Sequence, residues 1–332
     1  MAEAKKDLLV SIADGKYINQ VKELFASVYF NSGWQGDYLL LTSGLKEEEA
    51  KWFKDKGIIV YDKPLMAEGP IGITAYPPIV LAKFHLFKEE FKKWRKIIFI
   101  DADVIVRASL DGLLQYDGFS ACQAISFRLK DEFINHKRFS KIIGRKYCWR
   151  DKALATGMFV LDSNLITKDT FFEICSLYEN FKDFFMYNEE STLNIFFYRN
   201  WHELPVVYNT IPGYLSGVYG IGKEKILAFI LHFVRTKIGP WEKGNQYFEE
   251  WTANRNRANE IDLANRPPAS KLINDLELKK YLRYFKRKEC LYQIRFFCRP
   301  FYFLDRQIGR LGLFVKARNY RLYEFLVRFK KL

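Results

Sequence analysis

The chain is expected to fold as an α/β protein around a parallel sheet, on three observations. Short apolar runs bounded by polar turns recur at residues 7–12, 38–42, 58–61 and 97–100. They are continuous rather than alternating, which marks strands buried on both faces. The segments between the first three runs, and the one that leads into the fourth, carry apolar residues at helical spacing, and β-α-β order implies a parallel sheet with right-handed crossovers.

The first run, DLLVSI, ends in the loop Ala13-Asp14-Gly15, and Ile18, Val21, Leu24, Phe25 and Val28 then fall three and four apart, as one face of a helix does. Residues 38–42 are the second strand, 46–56 a polar-faced helix, and 58–61 the third strand. Residues 79–91 are expected to be helical and to feed the strand 97–100. Beyond it the pattern loosens. GMFVLD at 157–162 is a strand, 188–197 a helix with acids in its first turn, and 226–233 a strand with His232 near its end. A loop rich in Asn, Arg and Pro at 254–268 marks a boundary. The expected division is a body at 1–253, a linker at 254–270 and a tail at 271–332.

Charge divides at the same place. Of the 332 residues, 271–332 hold 17 Lys/Arg against 5 Asp/Glu, a net of +12, which leaves only +2 of the total +14 for residues 1–270. Five cysteines without CxxC spacing argue against a disulfide framework or a zinc cluster and suit a reducing compartment. The apolar run near the N-terminus is too short for a signal peptide. No run approaches the roughly 18 apolar residues of a spanning helix. The expectation is a cytoplasmic protein that does not cross a membrane.

The most informative stretch is KIIFIDADVIV at 96–106, where an apolar run stops at Asp101 and Asp103. Ligands of open α/β sheets bind beyond the carboxyl ends of the strands. Two carboxylates one residue apart at that edge suit a divalent cation held against an anionic substrate. Read alone, the pair also fits two solvated acids capping a turn. A haloacid-dehalogenase-type phosphatase also places Asp-x-Asp after an apolar strand. That class has the pair near the chain start, with Thr or Val two residues on; here Ile105 follows three earlier strands.

Several segments occur in a particular order: SIADGKY, LAKFHLF, FIDADVIV, TGMFVLDS, STLNIFF, WHELPVVYN and LHFVRTKIGPW. In this the chain resembles, over about residues 7–245, the family-8 glycosyltransferases, the group that holds glycogenin and bacterial lipopolysaccharide galactosyl- and glucosyltransferases. The resemblance implies a GT-A fold, a Rossmann-like nucleotide-binding sheet merged with an acceptor region, here followed by a basic helical C-terminal tail. It implies Asp101, Asp103 and His232 as ligands of Mn²⁺ or Mg²⁺, with Ala102 between the acids and the diphosphate of a UDP-sugar completing the shell. Carboxylate, imidazole and phosphate donors suit manganese. By residue type alone, His232 is equally a satisfied polar group at a strand end. Lys83 would face the donor, and Ala13, Asp14 and Tyr17 would receive the uridine, although Tyr17 also reads as a core aromatic.

Three departures stand out. The family's Asn-x-Gly is Ala155-Thr156-Gly157 here, with Gly157 still beside the sugar. Its Asp-Gln ahead of Leu-Asn is Glu189-Glu190, where a catalytic or sugar-binding carboxylate is expected. Its Lys directly before Pro-Trp is displaced to Lys237, three residues before Pro240, so that Arg235 or Lys237 would reach the diphosphate by another path.

The tail alternates bases with large aromatics. Basic amphipathic helices suit an anionic membrane surface; the same composition also fits a packed cap, or nucleic-acid binding through phosphate contacts and base stacking. The resulting expectation is a metal-dependent, retaining hexosyltransferase, peripheral on the inner membrane face. It would use UDP-galactose or UDP-glucose and a glycolipid or lipopolysaccharide-type carbohydrate acceptor. A nucleic-acid-binding protein and a phosphatase are the alternatives.

Overall fold

A computed structural model describes residues 5–73, 75–124, 128–144, 146–234 and 238–297. The first four strands, β1 (Leu8–Ile12), β2 (Asp37–Thr42), β3 (Ile59–Asp62) and β4 (Lys96–Ile100), are mutually parallel, as expected. Helix α1 (Ile18–Ser27) joins β1 to β2, and α2 (Glu47–Asp55) joins β2 to β3. Then follow β5 (Val104–Val106), β6 (Phe119–Gln123), α3 (His136–Ile143), β7 (Leu154–Asp162), α4 (Thr170–Phe181) and α5 (Glu189–Phe196). The described chain closes with β8 (His202–Glu203), α6 (Pro212–Tyr219), β9 (Ile230–His232), α7 (Phe248–Asn256) and α8 (Asp275–Phe297).

The main sheet has the order β3-β2-β1-β4-β7-β6-β8. Every residue of β1 and β4 is buried, which is why these runs show no alternation. Successive residues serve opposite faces. Leu9, Leu40 and Ile98 pack against α1 on one side, while Leu8, Val10 and Phe99 pack against the 78–87 segment, α4 and α5 on the other. From β1 the chain winds outward to β3 and returns to add β4 on the other side of β1. The crevice at this reversal, beyond the carboxyl ends of β1 and β4, is where such sheets bind ligands.

The structure departs from the sequence reading in two places. The segment expected as one helix over 79–91 is two successions of 3₁₀ turns, Pro78–Phe87 and Glu89–Lys93, broken by Lys88 in an extended conformation. Seven consecutive residues of it, Leu81–Phe87, are buried, so packing on all sides rather than one apolar stripe sets its path. The sheet is also mixed, because β7 runs antiparallel to both β4 and β6. The chain leaves β6 at the carboxyl edge of the sheet and re-enters β7 at the same edge, and a chain that re-enters from the edge it left must run antiparallel.

The segment 254–270 lies against the body. Lys56 Nζ donates to the carbonyls of Asn259 (2.6 Å) and Ile261 (3.3 Å), and the Tyr29 hydroxyl lies 2.8 Å from the Asp262 carbonyl. At Gly33, with φ of 62°, a Cβ would sit 2.4 Å from the Ala269 nitrogen, so only glycine permits this approach. Helix α8 buries Tyr281 and sets Phe285 and Tyr292 edge-on to Tyr219, while Leu276 and Leu291 face outward. The remainder of the tail, 298–332, lies outside the described residues.

One buried acid gives a pH prediction. Glu23 on α1 is fully buried; its Oε1 accepts from Asn254 Nδ2 (2.9 Å) and its Oε2 has no partner among the described residues. Burial pushes its carboxyl well above the usual range, against the hydrogen bond from Asn254. A folded-state value above the unfolded one contributes stability that is full at acid pH and is lost as pH rises towards the folded value. Glu23→Gln should therefore gain on the wild type as pH rises from 5 to 8 in thermal melts; parallel pH profiles would show that Glu23 does not titrate in this way.

Candidate functional site

Asp101 directly follows β4, and its backbone N–H continues the β4–β7 ladder by donating to the Gly157 carbonyl (2.9 Å). Asp103 precedes β5, which pairs with β9 so that Val104 stands opposite His232. The Phe233 N–H donates to the Asp103 carbonyl (2.9 Å), locking the two strands where their side chains meet. One ligand atom from each of Asp101, Asp103 and His232 lies within 4.8 Å of the others. His232 Nε2 is 3.1 Å from Asp103 Oδ1 and 3.9 Å from Asp101 Oδ2.

Asn209 fixes the orientation of this histidine. Its Oδ1 lies 2.7 Å from His232 Nδ1, so Nδ1–H donates and Nε2 is the nitrogen turned towards the two carboxylates. Without a cation a proton on Nε2 bridges to Asp103 Oδ1, 3.1 Å away; a bound cation would take that proton's place. Burial alone would lower the imidazole pKa, but Asp103 and then Asp101 outweigh it and hold it above the ordinary value. The Asp103 carboxyl is lowered despite its burial, chiefly by His232; that of Asp101 is raised by burial and by Asp103, against Lys83 and His232. An O, O, N donor set with the far imidazole nitrogen hydrogen-bonded fits a divalent first-row cation.

Lys83, on the Pro78–Phe87 segment, is 2% exposed. Its Nζ lies 3.1 Å from both Asp101 Oδ1 and Glu189 Oε1 and 3.3 Å from the Thr156 carbonyl. Burial would depress the ammonium pKa, but the two carboxylates raise it instead, so Lys83 is charged. Glu189 and Glu190 open α5 after Asn188, which is buried at φ of 47°. Burial raises the Glu189 carboxyl, partly offset by Lys83. Glu190 Oε2 accepts from the Thr156 N–H (3.0 Å), and one turn on, Asn194 bonds both backbone groups of Leu154 (2.8 and 2.9 Å). The start of α5 is thus stitched to the start of β7.

Gly157 lies flush against the triad. A Cβ there would stand 2.3 Å from His232 Cε1 and 3.1 Å from Asp101 Oδ2. Gly157→Ala should displace the imidazole and weaken divalent-ion binding on the order of 10–100-fold, as loss of an outer partner does. Calorimetric titration with Mn²⁺ checks it; unchanged affinity would mean that the imidazole is not a ligand.

At the end of β1, Ala13 is buried, and Asp14 caps the Gly15–Tyr17 turn by accepting from the Lys16 N–H (3.0 Å). Tyr17 is 40% exposed and edge-on to Trp241, with ring centroids 6.4 Å apart. Burial raises its phenol pKa, with further contributions from Asp103 and Asp14. Ala102, between the acids, is buried in the core. Arg235 and Lys237 lie outside the described residues. Sequence reasoning assigned no role to Asn209 or Thr156, although both stand in the quoted motifs; an Asn at the end of WHELPVVYN was the available signal. A groove of about 660 Å³, lined by Trp52, Lys56 and Leu263 among others, opens at the C-terminal end of α2, and none of the triad lines it.

A sheet with an Asp-x-Asp and a histidine at its switch point has the arrangement of a GT-A-type glycosyltransferase. The chain belongs to glycosyl transferase family 8, whose family model matches residues 17–244. No curated protein matches it by sequence. Its fold is similar to that of an active-site mutant of LgtC (18% identity, TM-score 0.61, covering 75% of this chain and 95% of that one). It is also similar to the galactosyltransferase LgtC in complex with donor and acceptor sugar analogs (17%, TM-score 0.59, 75% and 95%). A third similar structure is the glycosyltransferase GlyE of Streptococcus pneumoniae TIGR4 (18%, TM-score 0.55, 81% and 67%).

Proposed function

We propose that this protein is a metal-dependent, retaining hexosyltransferase that moves galactose or glucose from its UDP derivative to a glycolipid or lipopolysaccharide-type acceptor. The observation that carries this reading is the convergence of Asp101, Asp103 and the Asn209-oriented His232 at the switch point of the sheet. The similarity to a galactosyltransferase crystallised with donor and acceptor sugar analogs supports the hexose and the carbohydrate acceptor.

Asp101, Asp103 and His232 Nε2 would hold Mn²⁺ or Mg²⁺. Bound there, the cation stabilises as a Lewis acid the negative charge that builds on the UDP leaving group. Ala13, Asp14 and Tyr17 receive the uridine, with Trp241 behind the Tyr17 ring. Lys83 neutralises Asp101 and Glu189 and so keeps two acids usable beside an anionic donor. By resemblance alone, Arg235 or Lys237 would supply the base for the diphosphate. Gly157 leaves room for the sugar, Glu189 orients Lys83, and Glu190, held by Thr156, presents the carboxylate that stabilises positive charge at the anomeric carbon.

The domain reading is a body at 1–253, a segment at 254–270 lying on it, and a tail at 271–332 that rests on an anionic membrane at the cytoplasmic face. No helix among the described residues is long and apolar enough to cross a membrane, and the outward Leu276 and Leu291 among bases suit an interfacial helix.

The test is UDP release from a panel of UDP-sugars with Mn²⁺ and with EDTA. Metal-dependent release from UDP-galactose or UDP-glucose is expected. Metal-independent release, or release of phosphate from phosphomonoesters instead, would contradict the reading.

A further inference from the structure

The body of the protein is nearly neutral, but its charge is not evenly placed. Residues 128–152 hold nine Lys/Arg against three Asp/Glu, which leaves the rest of residues 1–270 at −4. This stretch runs from the end of β6 through α3 to the start of β7, the part of the chain that leaves and re-enters the sheet at its carboxyl edge.

A cavity of about 370 Å³ opens there, lined among others by Arg128, Arg150, Lys152, Arg199, Asn194 and Trp201. Its volume is within the roughly 300–1,000 Å³ range of small-ligand pockets. Its connection to the donor crevice is covalent and short. From Gly157 at the triad, β7 leads back to Thr156, which holds Glu190, and to Leu154, which is held by the Asn194 that lines the cavity. Three residues of extended strand span about 10 Å. The cavity therefore lies at least one such span beyond the triad along β7, on the side away from β1 and the uridine loop.

The cations differ in what already engages them. Lys152 pairs with Glu203 (2.5 Å), and Arg199 pairs through Nε with Asp151 (3.0 Å), which also accepts from the Tyr198 hydroxyl (2.8 Å). Arg128 donates through one terminal nitrogen to the Arg150 carbonyl (2.7 Å). The exposed Arg150 guanidinium makes no ion pair among the described residues. An excess of guanidinium groups beside a partly buried indole is the chemistry that grips a sugar carrying an anion: bidentate Arg contacts for phosphate or carboxylate, an aromatic face for the ring.

We infer that this cavity is an acceptor subsite and that the natural acceptor is an anionic carbohydrate, bearing a phosphate or carboxylate group within a sugar or two of the accepting hydroxyl. This deepens the transferase reading and rests on it. It also explains why the basic residues of a nearly neutral body collect at the acceptor side, where a neutral glycan would need none.

The test uses the full chain with saturating UDP and Mn²⁺ and measures binding of glucose 6-phosphate, glucuronate, glucose and inorganic phosphate by calorimetry. The two anionic sugars are expected to bind about tenfold or more tighter than glucose and than inorganic phosphate, with the advantage shrinking at high salt. Arg150→Glu should erase that advantage while its thermal melt stays with the wild type; Lys152→Ala, which leaves no buried charge, is the second variant and should reduce it. Equal affinity for glucose and its 6-phosphate would overturn the subsite. Equal affinity for inorganic phosphate would show an anion site without sugar recognition and overturn it too. Failure of the wild type to bind UDP at the outset would instead sink the transferase reading, and the acceptor role with it.

Discussion

Asp103→Asn should lower metal-dependent UDP release on the order of 10²–10³-fold, the scale seen when one electrostatic stabiliser of a developing anion is removed. The amide is neutral and offers a weaker oxygen donor, and it ends the attraction that Asp103 exerts on the His232 imidazole. The buried His232 left behind still faces Asp101 at 3.9 Å and can shed its proton, so no unpaired charge is trapped and the fold should persist. Initial rates at saturating Mn²⁺, with a thermal melt as control, check this. A variant that keeps full metal-dependent activity would remove Asp103 from the ligand set and leave the triad without its function.

The second large effect is on stability. Lys83→Met should destabilise the protein by about 3–5 kcal/mol, the usual cost of removing one partner from a buried ion pair. Lys83 is the cation between Asp101 and Glu189, and at 3% side-chain exposure water cannot replace it. Burial already raises both carboxyls, so in the variant they should take up protons and the loss should be smaller at acid pH. Adding Glu189→Gln removes one of the stranded charges and should recover part of the loss. Urea unfolding of the single and double variants measures this. An additive double variant, with no recovery, would show that Lys83 and Glu189 are not coupled.

The sequence made the first half of the fold legible because β1 to β4 are buried on both faces and their apolar runs are unbroken. Asp101 and Asp103 could be placed for the same reason: a run such as KIIFI that stops at acids fixes where the carboxylates emerge. Lys83 was assigned to the donor side by resemblance; that it is buried between Asp101 and Glu189 is visible only in the fold. The reach of local signals ends where tertiary contacts decide. Nothing in PIVLAKFHLF distinguishes a run of 3₁₀ turns from an α-helix, because all of its sides are buried. The antiparallel course of β7 depends on the chain re-entering the sheet at the edge it left, which no local pattern encodes. Asn209 is 23 residues from His232, and its part in fixing the imidazole is visible only once β9 is in place. Arg150 reads as one base among many until the cavity beside Asn194 gives it a place.

The central claim is that the Asp101–Asp103–His232 cluster holds a divalent cation that the nucleotide sugar needs. Calorimetric titration of the full chain with UDP, once with Mn²⁺ and once with EDTA, tests it most directly. The account predicts saturable one-to-one binding with Mn²⁺ that weakens at least tenfold when the metal is chelated. Equal binding in both conditions, or none in either, would contradict it.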